Sequence, residues 1–213
     1  MTSIFYTLCK QLPAIEYKKV VSQLPERMQA KIAKYRRWQD AQAFLYGRLL
    51  LKYGMHSLGS NYSLVDMKTD KHGKPYFPDS PFSFNISHSG EYIVCIISID
   101  EKSHLGIDIE EIRPLELKGF EAVFSPEEKE ELDDIIKFYT YWTRKEAVIK
   151  ADGRGMSIPL DLVNTTELTV PLESENYHLN EVKIDEDYVM HFASLEQIEK
   201  VDIIDCSDIA LNV

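Results

Sequence analysis

Gly106-Ile107-Asp108-Ile109-Glu110 alternates acids with isoleucines. Successive side chains of an extended strand point to opposite faces, so Ile107 and Ile109 share a buried face while Asp108 and Glu110 share the other, about 7 Å apart. Such a pair suits a hard divalent cation. Downstream, Glu146 lies 36 residues after Glu110, within Trp142-Thr143-Arg144-Lys145-Glu146-Ala147, and Lys150 follows one helical turn later. Ile135, Phe138, Tyr139, Trp142 and Ile149 recur at the helical repeat of about 3.6 residues, and Glu146 projects into that stripe. An ionised carboxylate is costly to bury alone, so a cation shared with Asp108 and Glu110 would be its partner. Lys145 and Lys150 beside three acids point to phosphate, because Mg²⁺ takes phosphate oxygens alongside a few carboxylates. Each element alone is more often a surface ion pair, and the weight rests on their conjunction.

Outward from this core, the chain is long enough, at 213 residues, to be one large domain or two small ones. A hydrophobic fraction of 44% and a charged fraction of 28% are those of a packed globular protein. Thirty-five acidic against 24 basic residues give a net charge of −11, which argues against broad binding to nucleic acid or an anionic membrane. Any polyanion site is therefore local, and Arg27, Lys31, Lys34, Arg36 and Arg37 form the one basic concentration, either a solvated helix face or an anion site. Cys9, Cys95 and Cys206 are scattered without metal-type spacing, as expected of a reduced cytoplasmic protein. Neither a secretion leader nor an apolar run of 18 residues is expected.

Local signals outline the elements. Residues 4–9 read as a strand, and a helix runs from Arg27 to about Tyr53, broken near Trp38 and stopped by Gly54. Residues 61–69 have strand character, and Lys71-His72-Gly73-Lys74-Pro75-Tyr76 is a turn. Residues 82–87 and 92–100 form a hairpin-like pair through His88-Ser89-Gly90. Residues 105–109 open a second half, Ser125-Pro126-Glu127-Glu128 is an N-cap with a capping-box glutamate, and Asp133-Asp134 recaps a helix that ends at Gly153. Residues 162–209 alternate as short strands. The predicted fold is α+β, with two similar halves, 1–104 and 105–213, each a long helix packed on a small, mainly antiparallel sheet. Asp108 and Glu110 would then lie near the cleft between the halves.

Gly73-Lys74-Pro75, Phe84-Asn85-Ile86-Ser87-His88-Ser89, Gly106-Ile107-Asp108-Ile109-Glu110 and Trp142 through Lys150 resemble, in order and spacing, the 4′-phosphopantetheinyl transferases of the larger single-chain type that activate nonribosomal peptide and polyketide synthetases. Asp40-Ala41 through Leu45-Tyr46-Gly47-Arg48 is similar to that family's first helix, so the resemblance spans about residues 25–160. It implies pseudo-twofold symmetry between the halves, a monomer, and transfer of the phosphopantetheine arm of coenzyme A to a serine of an apo acyl or peptidyl carrier protein. By position it implies Mg²⁺ on Asp108, Glu110 and Glu146, with Lys74, Pro75, Ser87, His88 and Lys145 along the coenzyme A path. His88 and the cluster of Arg27, Lys31 and Lys34 would lie near the 3′-phosphate. Glu146, or a metal-bound water it orients, would take the serine proton, and Lys150 would stabilise or protonate the leaving adenosine 3′,5′-bisphosphate. Leu117, Phe120, Val123 and Phe124 are either a carrier-docking surface or core. A Mg²⁺-dependent nucleotide hydrolase and a noncatalytic coenzyme A-binding module are the competing classes.

Overall fold

The computed structural model describes residues 1–60, 62–100 and 103–209. Ten strands and five α-helices follow one another as β1 (Thr2–Leu8), α1 (Ala14–Val21), α2 (Glu26–Ile32), α3 (Trp38–Ser57), β2 (Lys68–Thr69), β3 (Pro75–Tyr76), β4 (Ser83–Ser89) and β5 (Tyr92–Ser98). Then come β6 (Gly106–Glu111), α4 (Pro126–Glu131), α5 (Ile135–Asp152), β7 (Thr169–Leu172), β8 (Glu175–Glu181), β9 (Tyr188–Ser194) and β10 (Val201–Asp205). Two four-stranded sheets have the orders β10-β1-β5-β4 and β6-β9-β8-β7, and β2 and β3 form a small separate hairpin. All pairings are antiparallel except β1 with β10.

The period-2 alternation of the strands builds the layers. Phe5, Ile93, Cys95 and Ile97 face α3, while Ile4, Val94 and Ile96 face the opposite way and pack on Ile107, Ile109, Met190 and Phe192 of the second sheet. The outer face of that second sheet is covered by Ala147, Val148 and Ala151 of α5, packed on Val170, Tyr177 and Leu179. The result is helix, sheet, sheet, helix, with an apolar core between the sheets and Asp108 and Glu110 turned away from it.

The adjacent edges of the sheets are stitched by side chains. Odd-numbered residues of β4 reach β6 in sequence: Ser83 Oγ accepts from Leu105 N at 3.3 Å, Asn85 Oδ1 from Ile107 N at 3.0 Å, and Ser89 Oγ from Glu111 N at 3.2 Å. Short polar residues here satisfy backbone amides of the edge strand β6 that its sheet leaves unpaired.

Four expectations change. Helix α3 continues through Gly54 to Ser57, because Gly54 is not a stop: a Cβ there would lie 2.5 Å from Ile97 Cδ1 and 2.8 Å from Phe5 Cε2, so the missing side chain lets the helix press onto β1 and β5. Of residues 61–69 only Lys68–Thr69 is a strand; Arg27 Nη2 donates to Leu64 O at 2.9 Å, to Val65 O at 3.1 Å and to Met67 O, holding this segment as a turn, and Asn61 lies outside the described residues. A short helix, α1, was not anticipated. Finally, the 105–213 division separates the two long helices, yet β10 returns to pair with β1, and Cys206 and Ile209 join the core of the first sheet. The boundary itself runs beside Glu101 and Lys102, which lie outside the described residues.

The capping expectations agree with the structure. Ser125 and Glu128 form the reciprocal box at α4, Asp134 Oδ1 accepts from Lys137 N at 2.7 Å, and Gly153 ends α5 at φ 93°. Phe124 is fully buried, while Leu117, Phe120 and Val123 are half-buried against the cluster of Phe124, Phe138 and Tyr141, so Phe124 is core and the other three keep an exposed edge.

Candidate active site

Asp108, on β6, is buried and meets Lys150, on α5. Lys150 Nζ lies 2.5 Å from Asp108 Oδ1 and donates to Ser87 Oγ at 3.0 Å and to Ile107 O at 3.2 Å; Ser87 Oγ in turn donates to Asp108 Oδ1 at 2.9 Å. All of this crowds one oxygen. The other, Asp108 Oδ2, is buried without a hydrogen-bond partner.

Glu110, two residues along the same face, accepts from Ser89 Oγ at 2.6 Å. Burial raises its pKa; the Ser89 bond opposes this, the Asp108 charge adds to it, and the Trp142 indole also hydrogen-bonds the carboxylate. Glu146, half-buried on α5, is likewise raised by desolvation, with Lys150 opposing and Asp108 reinforcing. Asp108 and Lys150 act on both Glu110 and Glu146, so the two glutamates share the field of that ion pair.

Among the described residues, no three acidic, histidine or cysteine side chains converge closely enough to hold a metal ion. The donors still fit a hard divalent cation: the orphaned Asp108 Oδ2 and two carboxyls held above their usual range lack positive charge, and all are oxygen ligands. Asp108, Glu110 and Glu146 are the residues that would hold it.

The basic cluster divides. Arg27 donates from Nη2 to the carbonyls of Leu64, Val65 and Met67, so this nitrogen serves the 64–67 turn. Lys31 stays exposed with Nζ 4.8 Å from the Phe44 ring centroid, and Lys34 is exposed just beyond α2. Arg48, which the sequence reading left without a role, places its guanidinium 4.5 Å from the same ring, with Nε buried and unpartnered. Desolvation and then the Arg48 charge lower the Lys31 pKa, so two cations that both approach the Phe44 ring feel one another. The i, i+4 spacing of Phe44 and Arg48 on a helix carried that signal. His88 is exposed, and its pKa is lowered by desolvation and then by Lys150. It lines a cleft of about 760 Å³ with Arg37, Trp38, Asp40, Tyr92 and Tyr188.

Two lysines fall elsewhere. Lys145, expected on the coenzyme path, is wholly buried: Nζ lies 2.5 Å from Glu128 Oε2 and donates to Leu160 O at 2.9 Å and to Val163 O. One residue before Glu146 means a turn of about 100° around the helix, which points Lys145 away from the acids. Lys74 and Pro75 border a second cleft of about 340 Å³ with Phe77, His104 and Gly153, but Lys74 Nζ is engaged by carbonyls of α5 and β6.

The acids and Lys150 thus lie on β6 and α5 of the second half, and the Lys31, Phe44 and Arg48 group lies on α2 and α3 of the first. The family pattern described as 4′-phosphopantetheinyl transferase, N-terminal, matches residues 13–99, and that of the 4′-phosphopantetheinyl transferase superfamily matches residues 104–193. A 4′-phosphopantetheinyl transferase of Bacillus subtilis is 33% identical over 165 residues, covering 71% of this chain and 70% of the relative. The 4′-phosphopantetheinyl transferase Sfp of Bacillus subtilis (strain 168) is 31% identical, covering 68% of this chain and 67% of its own length. The 4′-phosphopantetheinyl transferase gsp of Aneurinibacillus migulanus is 35% identical, with 66% and 60% covered. The chain belongs to the 4′-phosphopantetheinyl transferase family.

Proposed function

We propose that the protein transfers the 4′-phosphopantetheine arm of coenzyme A to a serine of an apo acyl or peptidyl carrier protein, with Mg²⁺, releasing adenosine 3′,5′-bisphosphate. The observation that carries this reading is the Asp108, Glu110, Glu146 and Lys150 constellation with its orphaned Asp108 oxygen. The carrier serine oxygen forms a bond to the β-phosphorus, and the bond from that phosphorus to the bridging oxygen breaks. Glu146, directly or through a water it holds, accepts the serine proton. Lys150 neutralises the departing phosphate. A bound Mg²⁺ would supply charge stabilisation to the diphosphate, worth several kcal/mol in such chemistry.

Lys31 and Arg48 are the side chains for the 3′-phosphate, with His88 on the path between that patch and Lys150. The two halves, each a long helix on a mainly antiparallel sheet with its first strand beside its last, are read as related by a pseudo-twofold axis. A site completed within one chain supports a monomer, three free thiols support a reduced cytoplasmic setting, and a net charge of −11 weighs against nucleic acid as a partner; carriers of peptide or polyketide synthetases are what the family resemblance implies. No helix among the described residues is long and apolar enough to cross a membrane.

The test is stoichiometry. Adenosine 3′,5′-bisphosphate should appear mole for mole with holo carrier and only in its presence; release without any carrier would instead identify a hydrolase.

A further inference from the structure

Lys74 sits in a tightly specified turn. Asp70 N donates to Lys74 O at 3.0 Å, Asp70 Oδ1 accepts from His72 N at 2.8 Å and from Lys74 N at 2.9 Å, and Gly73 takes φ 96°. From that fixed backbone the side chain crosses to the other half, where Nζ donates to Lys150 O at 2.6 Å, Ala151 O at 3.0 Å and Leu105 O at 3.2 Å. Two of these are orphan carbonyls at the negative end of α5, where an ammonium is favoured. The third belongs to the residue before Gly106.

Two glycines make room for this clamp. A Cβ on Gly153 would stand 3.2 Å from Lys74 Cδ, and one on Gly106 would stand 2.0 Å from Ala147 O and 2.3 Å from Ala151 N. Strand β6 and the last turn of α5 are therefore in backbone contact at the point where Lys74 ties them. Lys150, whose carbonyl Lys74 holds, is the residue whose ammonium reaches Asp108, and Glu146 lies one turn earlier on the same helix.

The geometry points to Lys74 as a positioning residue, resting on the function proposed above: it locks the end of α5 to the start of β6 and so sets Lys150 and Glu146 against Asp108. Desolvation lowers its pKa to about 8, opposed by Asp70 and Asp152, so the ammonium that three carbonyls require persists at neutral pH.

Lys74→Met, Lys74→Gln and Lys74→Arg in the full chain test this, with steady-state transfer to an apo carrier and hydrogen exchange as readouts. Lys74→Met should lower kcat about tenfold or more with KM for coenzyme A within about twofold, since a small misplacement of catalytic groups is costly. Amides of the last α5 turn should exchange faster, and Lys74→Arg, which also donates to several carbonyls, should recover much of both. Where Lys74→Met does not fold, Lys74→Gln is read the same way. A raised KM with kcat retained would make Lys74 a coenzyme-binding side chain and overturn the positioning role; unchanged kinetics and exchange would overturn it too. A wild-type chain that transfers nothing removes the proposed function instead, and the exchange arm still decides Lys74.

Discussion

The Lys150 ammonium lies 2.5 Å from Asp108 Oδ1, one residue on α5 and the other on β6, and leaves Asp108 Oδ2 buried with no partner. A carboxylate supplied with one cation on one oxygen is half neutralised, and that asymmetry is what a diphosphate-bound metal would complete. Lys150→Met should reduce transfer about 100-fold or more while costing about 1–3 kcal/mol of stability, as Asp108 loses its ion pair but keeps Ser87. Normal turnover in a folded Lys150→Met protein would remove this lysine from the chemistry.

The arginines separate by their partners. Arg27→Met releases the 64–67 turn and should lower the unfolding midpoint with little change in KM for coenzyme A. Arg48→Met should raise KM for coenzyme A about tenfold or more and barely change KM for a 3′-dephosphorylated analogue. Equal effects of Arg48→Met on both substrates would contradict its place at the 3′-phosphate.

Lys145 and Glu128 form an ion pair with no exposed side-chain surface, and Glu128 also accepts from Ser125 N at 2.8 Å and from Thr165 N at 2.8 Å. Lys145→Met strands a buried carboxylate and should cost about 3–5 kcal/mol in urea unfolding; adding Glu128→Gln should restore part of the loss. If Lys145→Met instead raised KM for coenzyme A at unchanged stability, Lys145 would belong to the ligand path.

His191, on β9, is fully buried against α5, its Nδ1 2.8 Å from Thr143 Oγ1, and burial followed by the Arg144 charge lowers its pKa to about 3. Its folded pKa lies below the unfolded value near 6.5, so between about pH 6.5 and 3 the unfolded chain binds the extra proton. Stability therefore falls as pH drops through that window, by about 1.4 kcal/mol per unit from this residue. His191→Asn should flatten the acid limb of a stability curve measured by urea titration; an identical slope in the variant would assign the acid sensitivity to other groups.

What could be read from the chain depended on how local each cause was. The β6 alternation, the Ser125 and Glu128 box and the Gly153 terminator act within a few residues, and each stands where the pattern placed it. The contact of Asp108 with Lys150, and the placing of Glu110 and Glu146 within the field of that pair, follow from the strand and helix periods. The rest is set across the fold. Gly54 looks like a stop until Phe5 and Ile97 are seen against it, and residues 61–69 look extended until Arg27 gathers their carbonyls. The return of β10 to β1 has no local signature, because pairing of distant strands is written only in two matching edges. Lys145 could have been placed correctly from the helix period alone, being about 100° from Glu146.

The most direct measurement is the intact mass of an apo carrier protein after incubation with this protein and coenzyme A, with Mg²⁺ and with chelator in its place. The account predicts a gain of one phosphopantetheine arm on the carrier, abolished by chelator and by Glu146→Gln in a folded variant. No gain on any of several acyl and peptidyl carriers, with coenzyme A demonstrably bound and metal present, would contradict it.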